Sequence, residues 1–220
     1  ELIDSLDEEI LKDVLKYLLE NNSSARRSFL KYINNEDDNI NIENLKESID
    51  CIFYENSDDE YIGYDEASVL WNELNDFIDR KIEPLIELQR YMEAVELILH
   101  LASSFTEYDI DDSDGVIMGI YSRCEEIISL VIRLCSEKEE EKIFQDVVYE
   151  IDNNNDEYGY YKGFLDRLLF NQFKSEKSLK EILKIVNSRI KSLSGDKEDS
   201  FSQFYFKIIL SAKLKIMEEL

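Results

Sequence analysis

A single proline, Pro84, and six glycines punctuate all 220 residues of this chain. Sheets and crossover connections need turn residues at many points, so this scarcity weighs against β and α/β architectures. Apolar residues instead recur at the i, i+3, i+4, i+7 spacing of helices that bury one face. The expectation is an all-α fold of about ten helices, stacked as antiparallel helical hairpins in an irregular α-solenoid or helical-repeat-like arrangement. No strict period of the tetratricopeptide or ankyrin kind is present.

Local signals place the helices one by one. Ser5 and Glu8 form an S-x-x-E capping box, and Leu11, Val14, Leu15, Leu18 and Leu19 follow as an inward stripe. A second helix is expected over 24–33 and a third from Asn41, with Ile42, Leu45, Ile49, Ile52 and Phe53 inward. These three make an N-terminal lobe over 1–55, and "YENSDDEYIGY" links it to a main body over 64–220. Ala67, Leu70, Trp71, Leu74, Phe77 and Ile78 trace the fourth helix. Pro84 then kinks it or starts the next, because proline lacks the amide a helix interior requires. A dense apolar pattern over 85–105 predicts one buried helix, and five further segments carry the pattern to Leu220.

The segment "TEYDIDDSDGVIMGIYSRCEEII" poses the sharpest chemical question, a calcium loop or a helix start. An EF-hand loop needs oxygen ligands at positions 1, 3 and 5, glycine at 6 and an acid at 12. With Gly115 at position 6, Ile110 and Tyr121 fall where carboxylates are required. Starting from Asp109 puts Asp114 in the glycine position and Ile120 in the closing one. Both registers fail. Capping of the next helix by Asp112 or Ser113, with the acids at the positive end of its dipole, accounts for the segment.

Fifty acidic residues against 25 basic ones give a net charge of −25. Such a field repels phosphate backbones and anionic membrane surfaces, which argues against direct nucleic-acid or membrane binding, and it favours basic partners. Cys51, Cys124 and Cys135 form no CxxC pair and no framework, as expected of thiols in a reducing, cytoplasmic protein. No apolar run reaches the roughly 20 residues of a membrane span. The chain starts at Glu1 without a signal-peptide pattern, as a processed product or a piece of a longer protein would.

His100, the only histidine, has no G-x-S-x-G or similar nucleophile turn to work with, so it is expected to be structural. A zinc site would need His100 and three dispersed cysteines to converge. No phosphate-cradling loop exists, and neither a catalytic residue, a metal site nor a cofactor is expected. In "YGYYKGF", Tyr158, Tyr160, Tyr161 and Lys162 are the candidate partner-binding residues, since tyrosine offers large contact area at small entropic cost. The other reading of that group is tyrosines closing an interhelical turn.

From Tyr64 onward, "IDRKIEPLIEL", "AVELILHLASSF", "DIDDSDGVIMGIYSRCEEII" and "DEYGYYKGFLDRLL" resemble the helical region of bacterial SWIM zinc-finger proteins and related acidic helical proteins. The paired-cysteine-plus-histidine finger itself is absent. The resemblance implies an accessory, protein-binding helical module and no catalytic residue. The functional expectation is thus a non-enzymatic module for a protein or peptide partner of basic character. An acidic nucleic-acid mimic, using groups such as Asp37, Asp38, Asp58, Asp59, Glu60, Glu139, Glu140 and Glu141, is the alternative.

Overall fold

In a computed structural model, residues 7–22, 29, 41–153, 159–193 and 200–219 are described. Ser5 of the expected capping box, the second helix apart from Phe29, Asp37, Asp38 and Tyr158 lie outside them. The chain is all-α. Its residues group into two compact units, Glu1–Cys124 and Glu125–Leu220.

In the first unit, α1 (Glu8–Asn21) is followed by α2 (Ile42–Glu55). The Asn41 carboxamide oxygen starts α2 by accepting the Glu43 and Asn44 amides at 3.0 and 3.4 Å. Leu45, Ile49, Ile52 and Phe53 are buried as the periodicity requires, and α2 packs on α3 (Tyr64–Phe77) and α5 (Tyr91–Ser104). The stripe on α1 behaves differently. Val14, Leu15 and Leu18 are 39–47% exposed, because an amphipathic period dictates a helix but does not supply a surface to cover it.

Pro84 acts through its missing amide. The α3 helix passes into a π turn over Ile78–Ile82, and Pro84 then sits in the first turn of a short α4 (Glu83–Glu87), where no intrahelical donor is required. The single helix expected over 85–105 is in fact two. Gln89 adopts φ +60°, and the Gln89 and Arg90 amides return to the Ile86 and Leu85 carbonyls at 3.0 and 2.8 Å. This doubly bonded reversal ends α4 and leaves Leu88 exposed before α5 begins.

A feature absent from the sequence reading is a parallel pair of two-residue strands, β1 (Tyr61–Ile62) and β2 (Asp109–Ile110). The Asp109 and Asp111 amides donate to the Glu60 and Ile62 carbonyls, both at 2.9 Å. An aromatic core lies beside it: Phe105 meets Phe53 and Tyr121 edge-on at 4.9 and 5.4 Å, and the Tyr121 hydroxyl donates to the Ala102 carbonyl.

Helix α6 (Val116–Leu134) begins where the acidic segment ends, and the division between units falls within it. The Asp112 carboxylate accepts the Ile117 amide at 2.9 Å, and Gly115 takes φ +73°, a conformation side chains resist. The capping role is therefore Asp112's. Arg123 ties α6 to the α3–α4 region, donating to Asn75 at 2.5 Å, to Asp79, and to Glu83 at 3.2 Å.

The second unit holds α7 (Glu137–Asn153), α8 (Tyr160–Asn171), α9 (Glu176–Leu193) and α10 (Ser200–Glu219). Sequential neighbours pair, α7 with α8 and α9 with α10. Phe144 and Phe173 meet edge-on at 5.1 Å, and Asp166, buried on α8, accepts from Arg189 on α9 at 2.6 Å. Among the described residues, no helix is long and apolar enough to cross a membrane.

Candidate functional site

Two helix starts in the second unit have sequences that cap themselves. At "SEKEEE", the Ser136 amide and hydroxyl donate to Glu139 at 2.8 and 2.7 Å, and the Glu139 amide returns to the Ser136 hydroxyl at 3.4 Å. This reciprocal box begins α7. At "SEKS", the Ser175 hydroxyl accepts the Ser178 amide at 3.2 Å and donates to the Ser178 hydroxyl at 2.8 Å, beginning α9.

Between these helix starts and the ends of α6 and α8 lies a cleft of about 520 Å³. Its apolar part is Ile132 and Phe144. Its charged wall alternates Glu137, Glu140, Glu141 and Glu181 with Arg133, Lys174 and Lys177. Glu141 pairs with Lys177, and Arg133 donates to the Ser129 hydroxyl at 2.7 Å.

Glu140 is the distinctive group. Burial, and then the neighbouring Glu137 charge, push its carboxyl above the ordinary carboxylate range, although the Ser175 amide donates to it. The facing charges are Arg133, Glu137, Glu141, Lys174, Lys177 and Glu181. Glu139, one residue away, is the opposite case, held low by the Ser136 hydroxyl and amide. Burial, followed by the Glu139 and Glu140 charges, also raises the Cys135 thiol, which disfavours a nucleophilic thiolate.

The signs separate these two glutamates by experiment. A raised carboxyl pKa means that the folded state binds the proton more tightly, so ionised Glu140 works against folding at neutral pH. That penalty fades as pH falls through the folded-state value. Glu140→Gln is expected to melt no lower than the parent at neutral pH, with any advantage shrinking on acidification. Glu139→Ala is expected to melt lower at neutral pH, the deficit closing as pH falls through the folded Glu139 value. Thermal melts by circular dichroism across pH 3–7.5 check both (a range chosen to bracket ordinary carboxyl titration).

Tyr158 of the tyrosine group expected from sequence lies outside the described residues, and the other members differ in exposure. Tyr160 is 53% exposed, but Tyr161 is 2% exposed, stacks on Phe164 and donates to Glu150 at 2.9 Å. Tyr161 is therefore a core residue closing the α7–α8 junction. Its position follows from helix phase, since α8 turns residues 161, 164, 165 and 168 to one face. Lys162 is half-buried.

His100 accepts the structural role expected of it, its Nε2 lying 2.7 Å from Asp50 and joining α5 to α2. Cys51 and Cys124 are buried thiols and Cys135 is half-buried. Among the described residues no group of three or more His, Cys, Asp or Glu side chains could hold a metal ion. The cleft escaped the sequence reading. The one signal that could have found it is the pair of S-x-x-E and S-x-x-S starts, at 136–139 and 175–178, whose helices bound it. Compared with known proteins, the chain matches no family model, no curated protein and no solved structure.

Proposed function

We propose that this protein is a non-enzymatic helical interaction module, working in a cytoplasmic setting, that binds a protein or peptide presenting basic side chains. The observation that carries this reading is the cleft wall, on which Glu137 and Glu140 lie three residues apart on one helix face and the Glu137 charge, after burial, raises the Glu140 carboxyl. A cation placed between them relieves that repulsion, and the binding energy includes the relief. The surrounding field of a −25 chain steers basic partners toward the surface. The resemblance to accessory helical modules points the same way.

Seven charged side chains line the cleft, so a partner that brings charged groups of its own suits it. Titration calorimetry with a short lysine-containing peptide, and with its glutamate counterpart, tests the proposal. Saturable binding of the first that weakens with salt, with no heat from the second, is expected. Absence of saturable binding, or equal binding of both, overturns it.

A further inference from the structure

The arrangement of charges in the cleft narrows the partner further, an inference that rests on the interaction-module reading. A uniformly acidic groove would suit a run of lysines. This one does not, because Arg133, Lys174 and Lys177 share the wall with the glutamates. A polybasic segment laid in it would set its own charges against three cations, and like charges at such range are a strong negative discriminator.

The apolar part supplies the other constraint. Half-buried Ile132 lines the same cleft as Glu137 and Glu140, while Phe144 is 2% exposed. A lysine side chain couples a four-carbon stem to a compact ammonium with three donors, so it can lie on apolar surface while its head reaches carboxylates. Glu140 is half-buried and lines the same cleft as Ser175 at the start of α9. The α7 helix sets Glu137 and Glu140 three residues apart, hence side by side on one face.

We infer that the cleft takes a lysine of the partner that is flanked by acidic residues, its ammonium accepted by Glu137 and Glu140 and the flanking carboxylates by Arg133, Lys174 and Lys177. Recognition is of a mixed-charge segment, not of net positive charge. Acetylation of that lysine keeps the stem and removes the charge, so the same contact would act as a switch on binding.

The test uses the full chain and a fluorescent peptide with one central lysine between aspartates, its acetyl-lysine form, and an all-lysine peptide of equal length. The mixed-charge peptide is expected to bind the parent and to lose affinity about tenfold on acetylation or in the E137Q/E140Q variant, the scale of one charge-assisted contact. A charge-matched variant of exposed acids in the same unit, D152N/E218Q, is expected to bind as the parent does. Circular dichroism melts show that the cleft variant is folded, and R133Q/K174Q, expected to weaken the mixed-charge peptide alone, provides a second route to the same answer. Binding of the all-lysine peptide that is stripped by salt and indifferent to E137Q/E140Q is expected from the general acidic field. Equal binding of the lysine and acetyl-lysine peptides, or loss of affinity in D152N/E218Q as great as in the cleft variant, overturns the inference. If the all-lysine peptide binds saturably and the mixed one does not, the site inference falls and the broader reading stands. If none of the peptides binds, both fall.

Discussion

Gly119→Ala is expected to destabilise the first unit, although glycine to alanine within a helix ordinarily stabilises by roughly 0.5–1 kcal/mol. Gly119 lies in the second turn of α6, with the Trp71 ring pressed on it. A Cβ built there falls 2.6 Å from Trp71 Cη2 and closer still to Cζ3. No real contact is so short, and the indole is flat and stiff, so ring or helix must move. Overpacking of this kind costs roughly 1–3 kcal/mol. After the helical gain is subtracted the net loss is up to about 2.5 kcal/mol, which lowers the melting temperature by roughly 2–4 °C per kcal/mol at this chain length. Trp71 is the only tryptophan, so its fluorescence reports the displacement directly. Adding Trp71→Leu should recover much of the loss, because the colliding group is gone. An unchanged or higher melting temperature for Gly119→Ala alone would show that the ring swings away at no cost.

Asp166→Ala is expected to be more damaging still. The Asp166 side chain is 9% exposed and that of its partner Arg189 is 15% exposed, with 2.6 Å between Oδ1 and Nη1. The guanidinium also stands over the Phe170 ring, 5.9 Å from its centre. Removing the carboxylate takes the anion from a guanidinium in a poorly solvated place, and breaking such a pair costs about 3–5 kcal/mol. Replacing both partners is gentler, since desolvation of the two ions is then avoided. Asp166→Leu with Arg189→Met should melt within a few degrees of the parent, while Asp166→Ala alone melts roughly 6–20 °C lower on the same scale. Urea unfolding of all three proteins decides it. A single variant that loses less than about 0.5 kcal/mol, the range of ordinary surface substitutions, would mean that the pair contributes little.

Both sites show where sequence stops informing. Gly119 reads as a mild defect in an otherwise apolar helix, and nothing near it in the chain announces Trp71, 48 positions earlier. Asp166 sits in "KGFLDRLLF" like any polar residue on an exposed face, yet α8 turns it inward to Arg189. The tyrosines of "YGYYKGF" looked interchangeable, and helix phase put Tyr161 in the core and Tyr160 outside.

What the sequence determined by itself was settled within about one helical turn, although the equally local break at Gln89 escaped it. Asn41 and Asp112 cap their helices, Pro84 starts one, and periodic apolar residues on α2, α3, α6, α8 and α9 point inward. Those outcomes rest on bonds between residues at most five positions apart and on the 3.6-residue turn. Only the tertiary structure decided the pairing of Tyr61 with Asp109, the exposure of the α1 stripe, the pressing of Trp71 on Gly119 and the cleft walled by residues from 132 to 181. Each depends on which helix face meets which distant neighbour, and an amphipathic pattern specifies that a face is apolar without specifying what will cover it.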